Sequence, residues 1–284
     1  MRSFYHILPL LAAGITINAY AHFDIGVKAQ SFGGAFRAVA DAEDIIFSNP
    51  AGLIKHRKTA ADVFYQLAQR PRFHRLGIGI GDTNTSSWGM GLGYVAGIDA
   101  VKDRPLKHQA HLALAMPIVS DMFALGMSAT YQYDQVSHEE HRHFFNLDGG
   151  FMINAPLGLG FAVVVDHLLE AKGREKPMGC AMAFAFDMAE ITEAVPMVLA
   201  LDWLMDNVQS DENLHHVFAT GMQYKAFSLI PVRAGYKVEI QPGDHYLSLG
   251  SGIAGKNIAL DGVYQQHLSI GKQRHFGVSL TMQI

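Results

Sequence analysis

Charge is scarce in this chain. Of its 284 residues, 17% are Asp, Glu, Lys or Arg, against about 25% in soluble domains. The formal net charge is −4 and no basic cluster stands out, which argues against a nucleic-acid partner. The single cysteine, Cys180, excludes an intrachain disulfide and reads as a small apolar strand residue. Beyond the N-terminus there is no run of about 18 consecutive apolar residues, the minimum for a spanning helix. Yet 49% of the residues are hydrophobic. Apolar residues that are abundant but never contiguous suit strands.

The N-terminus is the one place with an apolar run. Met1-Arg2-Ser3 carries a positive charge, Ile7 to Ile17 is apolar, and Ala19-Tyr20-Ala21 is a small-x-small site. Residues 1–21 therefore read as a secretory signal peptide. His22 to Gly34 reads as a loop containing the Gly33-Gly34 pair. Ala35 to Phe47 reads as a short amphipathic helix, with Phe36, Val39, Ile46 and Phe47 on one side. Asn49-Pro50-Ala51-Gly52 ends it, because the residue before proline avoids the helical region. Lys55-His56-Arg57-Lys58 reads as a solvated turn or a position at a headgroup boundary.

From Thr59 onward the pattern has a period of two, the signature of strands, and 14 alternating segments follow. In the clearest, Trp88, Met90, Leu92, Tyr94, Ala96 and Ile98 alternate with Gly89, Gly91, Gly93, Val95 and Gly97. The last, Phe276 to Ile284, sets Phe, Val, Leu, Met and Ile against Gly277, Ser279, Thr281 and Gln283. A soluble sandwich would bury its large row and present a polar row to water. Here the second row is mostly Gly, Ala and Ser. A transmembrane barrel, with the large row facing lipid and the small row facing a narrow lumen, explains this better. Tyr65, Trp88, Tyr133, Trp203, Tyr224 and Tyr264 suit interfacial girdles. The fold expected is all-β: a 14-stranded antiparallel transmembrane β-barrel with a short N-terminal helical plug in its lumen. Residues 22–58 would be the plug and residues 59–284 the barrel. With the C-terminus on the periplasmic side, longer polar connections (Asp99 to Lys107, Gln135 to Arg142, Leu168 to Pro177, Asp206 to Asn213, Gln265 to Arg274) fall on the outer side.

Gly33-Gly34-Ala35-Phe36-x-Ala38-Val39-Ala40-Asp41 followed by Asn49-Pro50-Ala51-Gly52-Leu53 resembles the N-terminal signature of FadL-like outer-membrane proteins, shared with the secretion proteins PorV and PorQ. Leu199-Ala200-Leu201-Asp202 and Val232-Arg233-Ala234-Gly235-Tyr236-Lys237 are similar to the PorV-like branch. The resemblance implies a 14-stranded barrel whose N-terminal segment enters the lumen. Asn49, Pro50 and Ala51 would be its hatch turn, and Gly33 and Gly34 would allow the plug close to the wall. It also implies passage of a hydrophobic, fatty-acid-like small molecule across the outer membrane. The alternative is an adaptor that docks secreted proteins or a secretion-system protein. Besides outer-membrane lipid, no other partner and no cofactor is implied.

The inward rows contain charges: Asp148, Asp166, Asp187, Asp202, Asp261, Arg233, Lys237 and Glu239. Buried charge must be paired or hydrated. Salt bridges to the plug, with Arg37 or Lys28 as partners, are one reading; a polar solute path is the other. His138-Glu139-Glu140-His141-Arg142-His143 is not His-Glu-x-x-His and reads as a solvated outer loop, with surface metal chelation as the lesser alternative. Ser86, Ser87 and Ser248 lack the His and Asp context of a catalytic serine, and an enzyme is not expected.

Overall fold

A computed structural model describes residues 26–40, 43–56, 58–69, 72–99, 104–119, 122–135, 141–169, 178–192, 194–208, 214–227, 229–269 and 273–284. The expected signal peptide, the first four residues of the expected plug, and His138-Glu139-Glu140 lie outside them. The period-two segments form strands β1 Thr59–Gln69, β2 Phe73–Asp82, β3 Gly89–Asp99, β4 Arg104–Val119, β5 Phe123–Gln135, β6 His141–Ala155 and β7 Leu159–Asp166. The series continues with β8 Gly179–Asp187, β9 Met197–Asp206, β10 His215–Ala226, β11 Ile230–Glu239, β12 Asp244–Ala254, β13 Ile258–His267 and β14 Arg274–Gln283. Each pairs antiparallel with its sequence neighbours, and β1 pairs with β14 from Ala60–Gln283 to Gln69–Arg274. The sheet is a closed 14-strand barrel, as the alternation predicts. Closure leaves no strand edge, the condition for placing a sheet in lipid.

The two rows separate as expected. Leu92 is 60% exposed, Met127 58% and Leu76 56%. Their neighbours on the other face, such as Gly91, Gly93 and Gly126, are buried. No helix among the described residues is long and apolar enough to cross a membrane; the apolar surface is the outside of the barrel.

Several strands run further than the apolar alternation indicates. β4 starts at Arg104 and β6 at His141, shortening the connections expected at Asp99 to Lys107 and Gln135 to Arg142. Ladder hydrogen bonds do not depend on side-chain polarity, so pairing continues above the apolar belt, where the residues turn polar and the alternation fades. A register shift accompanies Pro117 in β4, where proline has no N–H to offer the ladder.

Residues 26–40 and 43–56 lie inside the barrel. They reach β14 through Val27 and Gly277, β12 through Ser31 and Gly250, and β10 through Phe32 and Gly221. The same segment meets β7 through Ala38 and Gly160, β6 through Asn49 and Gly150, β5 through Ala51 and Gly126, and β3 through Ile54 and Gly89. A chain that touches strands all round a closed sheet can only be within it.

Its conformation corrects the expected helix. The short helix α1 is Val27–Ser31, where a loop was expected, and Ala35 to Phe47 is not one helix. Gly33 and Gly34, at φ 69° and 98°, terminate α1 in the left-handed region that glycine tolerates. Ala40, at φ 51°, breaks the chain again, and only Glu43–Phe47 returns to a 3-10 turn. The amphipathic spacing is real, but wall and local side chains take over the backbone groups that a helix would pair. Asp202 Oδ2 accepts from the N–H groups of Phe36 and Arg37, each at 3.3 Å. Asn49 Nδ2 donates to the Arg37 carbonyl at 2.8 Å. Lys55 Nζ donates to the carbonyls of Ala38 and Val39 at 3.2 and 2.8 Å.

Leu112 faces outward halfway along β4. Arginine there would stand in hydrocarbon, at a cost of about 2–4 kcal/mol near a bilayer midplane. L112R is expected to lower the stability of the barrel refolded into vesicles by that amount in urea titrations, while H108R, near the strand end, changes it by less than half as much.

Candidate functional site

The site is the contact between the inner segment and the wall. Its shape follows from side-chain size. Phe32, Phe36 and Val39 pack on Ala162, Ala183, Ala185, Ala200 and Ala219. Ile45, Ile46, Leu53 and Ile54 pack on Ala113, Ala115, Ala124 and Met152. Large groups come from the segment and small ones from the wall, the complementarity that lets a chain fit within a sheet of this circumference. Two glycines mark the closest approach. A methyl group at Gly126 or Gly235 would overlap the backbone of Ala51 or of Phe32 and Gly33.

Asn49 is fully buried. Its Oδ1 accepts from Ala51 N at 3.1 Å and caps the 3-10 turn Pro50–Ile54, in which proline occupies the first position. Proline needs no donor there. Gly52 packs against Ala40 and Ile45 with no space for a larger side chain. Asn49 therefore ties the Asn-Pro-Ala-Gly turn back to Arg37. The space beside Gly52, bounded by Ala40, Ile45, Leu53, Gly81 and Thr83, amounts to about 20 Å³, roughly room for one water.

The inward charges divide into three sets. Arg37 stands 3.3 Å from Asp202 through Nη1 and 3.9 Å from Asp166 through Nη2. Asp202 is 0% exposed, and its Oδ1, like Arg37 Nε, has no hydrogen-bond partner. On β11 and β13 Asp261 accepts from Arg233 at 2.5 Å and faces Lys28 at 3.8 Å. Gln223 supports Arg233 at 2.7 Å, and Lys28 also donates to Thr281 at 3.3 Å. Asp148 and Lys237 bond the wall instead. Asp148 accepts from Ser128 and from His167 N, while Lys237 pairs with Glu239 at 2.8 Å and lies over the Tyr246 ring.

Sequence reasoning missed two ties. Lys55 belongs to the interior, holding Ala38 and Val39 rather than a solvated turn. A glutamine relay, Gln66 to Gln30 at 3.2 Å, Gln30 to Gln265 at 3.4 Å, and Gln265 to Ser248 at 2.9 Å, joins α1 to β1, β12 and β13. Polar residues on an inward row look the same in sequence whether they face water or another segment.

A second concavity lies on the outer wall. It has a volume of about 710 Å³ and is lined by outward residues of β6 to β12, including Leu159, Phe161, Phe184, Leu201, Met222 and Tyr236. Its floor is the backbone of Gly160, Ala185, Ala200, Gly221 and Gly235, the wall against which Phe32 to Ala38 pack from inside.

No protein-family model matches the chain, and no curated protein matches it in sequence. Solved structures match its fold. The Ralstonia pickettii toluene transporter TbuX superposes with a TM-score of 0.70 at 11% identity, over 91% of this chain and 98% of that one. The CymD monoaromatic hydrocarbon channel gives 0.67 at 12%, over 92% and 97%. A Pseudomonas aeruginosa FadL homologue gives 0.60 at 12%, over 91% and 98%. The chain has the FadL-like barrel fold. At these identities the likeness concerns architecture, and it agrees with the resemblance carried by the Gly33 to Leu53 signature.

Breaking a buried ion pair by removing one partner costs about 3–5 kcal/mol, because the other charge stays buried. D202N is expected to lower the urea midpoint and to open the inner segment to trypsin at Lys28 and Lys55. R37M/D202N is expected to recover most of that loss, since the amide introduced at position 202 retains an oxygen for the backbone N–H groups of residues 36 and 37. N49A removes a cap and leaves the Arg37 carbonyl without its donor. A loss of about 1–3 kcal/mol is expected, with faster amide exchange in residues 36–40.

Proposed function

We propose that this chain is an outer-membrane channel for hydrophobic small molecules. Residues 1–21 serve as its export signal, residues 22–58 as a plug with Asn49-Pro50-Ala51 as the hatch turn, and residues 59–284 as the barrel. The observation that carries this reading is the chemistry of the wall beneath the segment. On β4 to β10 the hydrophobic residues packed against it are Ala113, Ala115, Ala124, Met152, Ala162, Ala183, Ala185, Ala200 and Ala219. If the segment shifts, that side becomes a mainly apolar track, interrupted at Asp166 and Asp202, that suits an uncharged molecule. The opposite side holds the segment by Lys28, Asp261 and the glutamine relay and acts as its hinge. Arg37 with Asp202 and Asp166 is the latch, and Gly33 and Gly34 supply the turn beside it.

Three neighbours in fold are named as a toluene transporter, a monoaromatic hydrocarbon channel and a FadL homologue. These names support a hydrophobic cargo and a channel rather than an enzyme. A fatty-acid-like cargo is the extension that the signature at Gly33 to Leu53 favours.

The PorV-like adaptor is the second reading, favoured by the packed space beside Gly52. The two separate by experiment. Cells carrying the chain are expected to take up labelled toluene or long-chain fatty acid faster than cells lacking it, and D202N is expected to raise uptake further. Equal uptake in both strains would end the channel reading. Recovery of a secretion-system protein by cross-linking at the barrel's outer end would then favour the adaptor.

A further inference from the structure

Histidines are concentrated at one end of the barrel's lipid-facing surface, in a repeated arrangement. Tyr65 on β1 bonds His74 on β2, and Tyr94 on β3 bonds His108 on β4. On β5 and β6, Tyr131 bonds His143 and Tyr133 bonds His141, both at 2.7 Å. Trp203 on β9 donates to His216 on β10 at 3.3 Å, and Tyr236 on β11 bonds His245 on β12 at 2.5 Å. In every pair the aromatic residue is on an odd-numbered strand. The histidine is on the next strand, two positions nearer the end that faces away from Thr59 and Ile284. Tyr65 is opposite Leu76, and His74 is opposite Leu67. Trp203 is opposite Phe218, and His216 is opposite Met205. The diagonal is within reach of aromatic side chains on adjacent strands. Tyr133 is the densest point, its ring lying 5.8 Å from His108, 5.8 Å from His141 and 5.2 Å from His143.

An aromatic girdle needs no histidine; tyrosine and tryptophan suffice at a headgroup boundary. What histidine adds is a free donor. All six pairs use Nδ1. Indole N–H is a donor only, so Trp203 fixes His216 with Nδ1 as acceptor and the proton on Nε2. In the other five the direction of the Tyr–Nδ1 hydrogen bond follows the tautomer, and with the hydroxyl as donor Nε2 again carries the proton. In that tautomer each imidazole keeps an Nε2–H that the pair itself does not use. The charge pattern around them is one-sided. Among the described strand side chains in the outward rows, the single acid is Asp82, at the far end, and the single strong base is Arg274, at the histidine end beside Gln69 and Gln266.

We propose that this Tyr/Trp–His belt is a binding surface for phosphate-bearing lipid headgroups in the leaflet at that end. The belt supplies a ring of donors with no carboxylate beside it in the outward rows of the described strands, at the depth where phosphates lie, above an apolar wall that takes the acyl chains. Phosphate oxygens are acceptors only, and a donor bonded to an ionised acceptor makes the stronger class of hydrogen bond.

The test uses the full mature chain refolded in detergent micelles, with lipid retention read by native mass spectrometry. The probes are lipid A and its fully dephosphorylated form. Hydrogen bonds to a charged acceptor predict retention of the phosphorylated lipid about tenfold above the other. H108F/H141F/H143F keeps the rings and removes the donors, and is expected to abolish the difference. H108Q/H141Q/H143Q restores an N–H at each position and is expected to recover part of it. Heat-modifiable gel migration confirms that each variant is folded. Equal retention of the two lipids, or an undiminished difference in the folded phenylalanine variant, would overturn the proposal. So would displacement of lipid A by inorganic phosphate at equal concentration, which would make the ligand a free anion.

Discussion

The structure depends on an exchange of side-chain volume across the inner face of the sheet. Lipid outside demands closure, and closure at 14 strands leaves a space that is either filled or wet. The wall meets this with Gly126, Gly150, Gly160, Gly221 and Gly235, and with a row of alanines. The segment meets it with Phe32, Phe36, Ile45, Ile46 and Ile54, all nearly or fully buried. Apart from the small cluster of Val164, Ala181, Leu204 and Val217, neither half has a core alone. A barrel of this composition without the segment would expose bare backbone inside, and the segment without the barrel would be a short apolar peptide with little regular structure.

Polar groups decide where the segment sits within that space. The apolar contacts are forgiving in register, since alanine resembles alanine along a strand. Asp202 is different, because its carboxylate serves Arg37 Nη1 and two backbone N–H groups at once. Asp261 serves two cations, Lys28 of the segment and Arg233 of the wall. Buried pairs of this kind contribute little net stability but penalise misplacement. They therefore hold the segment to one position.

Much of the fold was legible in the alternation. The large row and the small row in Trp88 to Ile98 already separated lipid from lumen, and the count of 14 segments matched the strands. Strand ends were less legible, because His141 and Arg104 pair in the ladder without contributing to an apolar pattern. The inner segment, expected as a helix over Ala35 to Phe47, takes another conformation. Its amphipathic spacing is that of a helix, and nothing local in the sequence announces that Asp202, far along the chain, takes the N–H groups of Phe36 and Arg37. The aromatic–histidine belt was half visible: Tyr65, Tyr133 and Trp203 were expected in a girdle, while their histidines looked like scattered polar residues until register put them on the diagonal.

The sequence by itself determined the class of object, because side-chain alternation along a strand is a local property and closure follows from its surroundings. Which inward charge meets which partner, how the segment from Val27 to Ile54 coils, and how six histidines line up at one rim were decided only by the tertiary structure. Each depends on distances between residues far apart in the chain, such as Arg37 and Asp202 or Lys28 and Asp261, and on a strand register that no single strand contains.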